Sequence, residues 1–155
     1  MNKKSAGILL YRFVNHKIEF LLVHPGGPFW KNKDIGSWSI PKGEFEDDEE
    51  PLDAAIREFQ EETGLEIKGE FITLAPARQK SGKIVHGFAL EKNIDPEKIK
   101  SNTFSMEWPP KSGIEQDFPE IDKAGWFGIN TAREKINPGQ APLLDDLITK
   151  TGHTL

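Results

Sequence analysis

The window from Gly43 to Leu65, GEFEDDEEPLDAAIREFQEETGL, constrains this chain more than any other stretch. Pro51 fits the first position of a helix, where its missing N–H is no loss. Glu50 ahead of it is a mediocre N-cap. Leu52, Ala55, Ile56 and Phe59 recur at helical spacing and predict the face that packs inward. Gly64 supplies the residue on which helices commonly end. The same helix sets Glu58, Glu61 and Glu62 at i, i+3 and i+4 on one face. Like charges at that spacing destabilise a bare helix. A solvated acidic face tolerates them. A divalent cation among the oxygens makes them useful, and hard oxygen ligands suit Mg²⁺, Mn²⁺ or Ca²⁺.

The flanks predict strands. Ser5 to Arg12 and Ile18 to His24 read as two, joined by Asn15-His16-Lys17. Pro25 to Gly36 is punctuated by Pro and Gly and reads as a loop. Trp38 to Ile40 is a short strand running into Pro41-Lys42-Gly43. After the helix, Glu70 to Ala75 and Ile84 to Leu90 read as strands around the turn Lys80 to Lys83. Phe104 to Trp108 is a further strand, Pro109 to Pro119 is irregular, and Ala124 to Phe127 is a last short strand. A helix from Asn130 to Ile136, capped by Asn130, and another from Pro142 to Lys150 are separated by Asn137-Pro138-Gly139. Strands before and after a central helix predict an α+β sandwich with a mixed sheet.

Composition narrows the chemistry. At 155 residues, 1–155 are expected to form one domain with a real core, to which ten Phe and four Trp contribute. With no cysteine, thiolate metal sites and a Cys nucleophile are excluded, and a reducing, cytoplasmic setting is the expectation. The apolar run Ala6 to Leu10 is too short for a signal segment. Nothing approaches the ~20 apolar residues of a membrane span. The net charge of −5 argues against a general nucleic-acid face. It leaves an anionic substrate open, because a bound metal inverts the local field.

Gly43, Glu49, Arg57, Glu58, Phe59, Glu61, Glu62, Gly64 and Leu65 fall on the pattern G-x5-E-x7-R-E-U-x-E-E-x-G-U, with U aliphatic or aromatic. This resembles the Nudix box at every fixed position. The strands ahead of the window, the lead-in W-S-I-P-K-G and the late Trp126-Phe127 are similar to the family as well, over roughly Ser5 to Leu147. The resemblance implies an α/β/α sandwich with a mixed central sheet and hydrolysis of a nucleoside diphosphate linked to a further group X. It makes Glu58, Glu61 and Glu62 ligands of Mg²⁺, with Mn²⁺ as substitute, joined by the backbone carbonyl of Lys42. Gly43 lets the loop approach the metal without a side chain. Arg57 is expected to face away from the metal and to hold the loop by pairing with Glu49, with Gly43, Glu49 and Gly64 as structural positions of the box.

A general base is expected in a later loop, where Glu120 comes first and Glu115 second. Lys42 would attract phosphate. Gly26-Gly27 reads as a flexible loop rather than a phosphate-binding turn. Trp30, Trp108 and Phe118 are candidates for stacking on a base, whereas Trp38 and Trp126 read as packing. His24, His86 and His153 have no paired metal spacing and read as strand or tail residues. Lys80 and Gly82 stand where some Nudix groups carry a downstream proline or tyrosine. The N-terminal half is similar to diadenosine tetraphosphate hydrolases and nucleoside triphosphate pyrophosphohydrolases. The expected partner is therefore a small nucleotide, an NTP or a dinucleoside polyphosphate, with ADP-ribose or RNA 5′ ends, or a silent nucleotide sensor, as alternatives. The family also allows a homodimer.

Overall fold

A computed structural model describes residues 3–152. Its seven-stranded sheet runs β4 (Ile72–Thr73), β6 (Ile84–Glu91), β1 (Lys4–Val14), β2 (Lys17–Pro25), β9 (Ile121–Gly128), with β3 (Lys42–Glu44) on β1 and β5 (Ala77–Arg78) on β6. The sheet is mixed, because β1 lies parallel to β6 and antiparallel to β2. Every residue from Ser5 to Tyr11 is buried. That is why SAGILLY reads as an unbroken apolar run: both faces of β1 are covered.

Side chains alternate between two cores. Ile8, Leu10 and Leu21 pack with Ala54, Ala55 and Phe59 of α1 (Pro51–Thr63) on one face. Leu9, Tyr11, Phe20 and Leu22 pack with Ile136, and with Leu143, Leu144 and Leu147 of α3 (Ala141–Thr151), on the other. The short α2 (Ile129–Lys135) adds Ala132 to this second core. The result is the expected α/β/α sandwich.

The sheet is not uniformly zipped. β1 pairs with β2 only from Tyr11 to Val14, and its beginning, Ser5 to Gly7, pairs with β3 instead. Val23 of β2 exchanges two backbone bonds with Ser39, at 2.8 and 2.9 Å. Residues 38–44 therefore fill the gap between the splayed ends of β1 and β2. Gly7 permits it: a Cβ there would lie 2.5 Å from the carbonyl oxygen of Pro41. This seam delivers Lys42 and Gly43 to the face of α1.

Several expectations need correction. The segment 109–119 is not irregular throughout: β8 (Glu115–Pro119) pairs with β7 (Thr103–Glu107) as a separate hairpin. The strand expected from Glu70 to Ala75 shrinks to two residues, and β5 was not foreseen. The turn after β1 is tighter than expected, with Asn15 and His16 in the left-handed region and Lys17 already in β2. The helix before Ile136 starts from Gly128 without a side-chain cap, so Asn130 is helical rather than capping. In α1 the fully buried positions are Ala54, Ala55, Phe59 and Thr63, with Leu52 and Ile56 at the margin. Glu50 does precede the helix without a side-chain capping bond, and Gly64 ends it at φ 74°.

Phe59 is 0% exposed and joins α1 to the sheet. Phe59→Ala should lower stability by ~3–5 kcal/mol, measured by urea unfolding of the metal-free protein.

Candidate active site

The seam and α1 together arrange the acids. Arg57 lays its fork on Glu49, with Nε and Nη2 at 2.9 and 2.8 Å from the two carboxylate oxygens. A bidentate pair of this kind is directional as well as strong. It ties the loop ahead of the helix to the helix itself, as expected. Arg57 also reaches the acidic ridge, which pairing with Glu49 alone does not predict. Its Nη1 donates to Glu58 at 2.8 Å and reaches Glu61 at 3.3 Å. The side chain is long enough to lie along the ridge while keeping Glu49.

Glu58 is only 14% exposed, Glu61 50%. Burial raises the Glu58 carboxyl above its ordinary pKa, against the pull of Arg57. Gly43 has a sharper reason for being glycine than loop freedom. A Cβ there would lie 1.9 Å from Oε2 of Glu58. The Glu58 carboxylate thus rests directly on the Gly43 backbone.

Glu62 points the other way, into the seam, where it accepts the Lys42 N–H at 3.1 Å. Burial pushes its pKa up to about 7, opposed by Lys42 and reinforced by the charges of Glu120 and Glu58. Lys42 is shifted down by burial and by Lys83, while Glu62, Glu44 and Glu58 draw it back up. Lys42, Glu62 and Glu120 all line a cavity of about 350 Å³, with Trp30, Ile40, Gln79, Asn137 and Gln140 among the other walls. Glu120 bonds through its backbone to Gly26 and Asn102. Its carboxylate has no hydrogen-bond partner among the described residues.

Trp30 is the expected aromatic residue that reaches this cavity. Trp108 and Phe118 do not line it. Trp108 bonds through its backbone to Ile114 across the β7–β8 loop, and Phe118 stands 5.9 Å from Phe104, ring to ring. Glu115 opens β8 opposite Glu107 and does not line the cavity. Trp38 and Trp126 are packing residues as expected, Trp38 5.0 Å from Phe127 and Trp126 donating to the carbonyl of Ile94. Gly26 packs closely on the end of β8, where a Cβ would lie 2.0 Å from the carbonyl oxygen of Pro119. His24 is a buried strand residue between Asp122 and the Lys33 carbonyl, His86 lies in β6, and His153 falls outside the described residues.

Among the described residues no three acids gather closely enough to hold a metal ion, since Glu62 turns into the seam while Glu58 and Glu61 lie with Arg57; these three remain the acids that the sequence singles out. Their donors are all carboxylate oxygens on one ridge, and one cation, Arg57, already bridges two of them. That hard donor set fits Mg²⁺ or Mn²⁺. Sequence reasoning missed Gln79 and Gln140. Neither belongs to a motif, and they meet only through the fold, with Gln140 Nε2 donating to Gln79 Oε1 at 3.0 Å.

A family model described as NUDIX domain matches residues 1–147. The mRNA-decapping protein g5R of African swine fever virus is 44% identical over 99 residues, 62% of this chain and 39% of that protein. The asymmetrical bis(5′-nucleosyl)-tetraphosphatase of Rattus norvegicus is 31% identical over 111 residues, 63% of this chain and 71% of that protein. The chain spans between a quarter and two-fifths of the length of the first curated relatives it matches. The Ap4A hydrolase of C. elegans, solved as a binary complex, superposes with a TM-score of 0.63 at 23% identity, over 98% of this chain and 99% of that one. At that identity the likeness speaks to the fold alone.

The raised pKa of Glu62 has a thermodynamic consequence. A carboxyl titrating higher in the folded chain than its ordinary value, about 4.3, binds its proton more tightly when folded. Its contribution favours folding at low pH and is lost as pH rises through about 7. Without metal, Glu62→Gln should therefore melt above the parent at pH 8, with the difference closing at pH 5. Differential scanning calorimetry in chelator checks this.

Proposed function

The chain belongs to the Nudix family, and we propose that it hydrolyses a phosphoanhydride bond in a nucleoside diphosphate linked to a further group, with an NTP or a dinucleoside polyphosphate as substrate. The observation that carries this reading is the facing pair of carboxylates: Glu62, buried on the Lys42 N–H, and Glu120, in the wall of one cavity of about 350 Å³. The intact acidic ridge of α1 supports turnover over silent sensing. The net charge of −5 supports a small nucleotide over a nucleic-acid chain.

In this reading Glu58, Glu61 and Glu62, with the Lys42 carbonyl, would hold Mg²⁺ or Mn²⁺, which would supply positive charge against the phosphates and make a water more acidic. The chain's own residues do the rest. Arg57 fixes Glu58 and the Glu49 loop, an orienting role carried by its fork. Gly43 admits Glu58 to the loop, and Gly64 closes the helix behind the ridge. The Lys42 ammonium draws the polyphosphate to the cavity mouth. Trp30 offers a ring face to the base. Glu120, whose carboxylate has no hydrogen bond to break among the described residues, accepts the proton of the attacking water. The water oxygen bonds to phosphorus as the bridging P–O bond breaks, and the other phosphate leaves with the electron pair.

Purified protein with Mg²⁺ or Mn²⁺ should release phosphate products from an NTP or a dinucleoside polyphosphate, in a panel that also holds ADP-ribose and 5′-triphosphorylated RNA. Glu61→Gln and Glu62→Gln should each lower kcat by ~100-fold or more while circular dichroism stays unchanged. Full activity in both, or binding without phosphate release across the panel, would refute the reading.

Glu120→Gln should lower kcat by ~100-fold or more at unchanged metal affinity. An unchanged rate would remove Glu120 from the reaction.

A further inference from the structure

We infer that the cavity reads a nucleobase edge with amide donors, and so prefers a 6-oxopurine nucleotide to its 6-aminopurine counterpart. The inference rests on the nucleotide substrate proposed above and names the base.

The argument is a chain of forced orientations. The Ile40 N–H can only donate, and it lies 3.1 Å from Oε1 of Gln140. Gln140 is 1% exposed, so no water competes for that oxygen. With Oε1 committed to Ile40, its Nε2 faces the other way and donates to Ser39 Oγ and to Gln79 Oε1, both at 3.0 Å. Turning Gln140 over would set its amino group against the Ile40 N–H. Turning Gln79 over would set two amino groups together. Each choice forces the next, because a buried donor facing a donor forfeits its hydrogen bond.

Gln79, a residue of the cavity wall, is thereby left with an Nε2 amino group that has no acceptor among the described residues. Asn137 reaches the same state independently. Its Oδ1 accepts the Gly139 N–H at 2.8 Å, which frees Nδ2, and Asn137 lines the same cavity. Gly139 also holds the two residues' segments together, since a Cβ there would lie 2.5 Å from the Cα of Gln79. The wall thus offers amide donors whose own acceptors are already spoken for.

The amide cluster is next to the phosphate end. Ile40 precedes Lys42 by two residues, a span of about 7 Å, and the Lys42 N–H holds Glu62. One nucleotide can therefore reach both. Among purines, guanine presents N7 and O6, two adjacent acceptors, whereas adenine presents the N7 acceptor beside the N6 amino donor. Amide donors match the first edge and oppose the second. A site built on hydrogen bonds discriminates strongly against the analogue that leaves them unpaired.

The test compares ITP with ATP, which differ on that edge at position 6. With Mg²⁺, kcat/KM should favour ITP by about tenfold or more, and calorimetry with non-hydrolysable analogues of the two should give the same order in Kd. Gln79→Glu can still accept from Gln140 with one oxygen while offering the other to the cavity. It should move the ITP-to-ATP ratio toward ATP, with each substrate serving as the other's control for the added charge. Equal affinity for the two analogues, a preference for ATP, or a ratio unmoved by Gln79→Glu in a folded variant would overturn the inference, as would binding of neither analogue. Preferential binding of the ITP analogue with no turnover of any nucleotide would uphold the inference and refute hydrolysis instead.

Discussion

The site depends on one steric concession, the close approach of Pro41 to Gly7. With a side chain at position 7, residues 38–44 could not fill the gap where β1 leaves β2. That segment supplies nearly every fixed reference in the cavity. Its Ser39 ties to Val23, its Ile40 N–H orients Gln140, its Lys42 N–H receives Glu62, and its Gly43 backbone supports Glu58. Main-chain donors do not change rotamer. Using them as anchors gives the side chains on α1 and near α3 defined positions without long-range ion pairs. A site largely formed before ligand arrives is the usual condition for small-molecule recognition.

The same placement strains the electrostatics. Three acids share one helical ridge, and two of them, Glu58 and Glu62, are shifted upward chiefly by burial. Arg57 answers this on one side only, binding Glu49, Glu58 and Glu61. Among the described residues Glu62 has no side-chain cation bonded to it and relies on a backbone N–H and the nearby Lys42 charge. Such an arrangement is less stable than an apolar one, and active sites commonly carry this conflict. A divalent cation would relieve it where Arg57 cannot reach.

Much of this was legible in the sequence, and the failures have physical causes. β1, β2, β6 and α1 were readable because their burial imposes a period or an unbroken apolar run. β8 was not: EQDFP in a hairpin outside the main sheet buries little, so no alternation marks it. The box spacing located the acids, but spacing fixes only where a side chain starts. Arg57 is long enough to serve Glu49 and the ridge at once, a reach that helical spacing alone does not show. Trp108 and Phe118 looked like base-stacking residues because they sit near loops, yet their loop belongs to the hairpin and not to the seam. Gln79 and Gln140, 61 residues apart, carry no local signal whatever.

The division of labour proposed for Glu62 and Glu120 rests on their surroundings and not on their chemistry, which is the same. The Glu120 charge adds to the cost of ionising Glu62, and Glu62 is the one with the better fixed partner. Glu62 has the Lys42 N–H and sits on the helix; Glu120 sits at the turn into β9, bound among the described residues only through its backbone. A group that must hold a charge in a constant position belongs on the helix. A group that must take a proton and release it belongs where its oxygens have no bond to lose. When environments separate two like groups in this way, their roles separate with them.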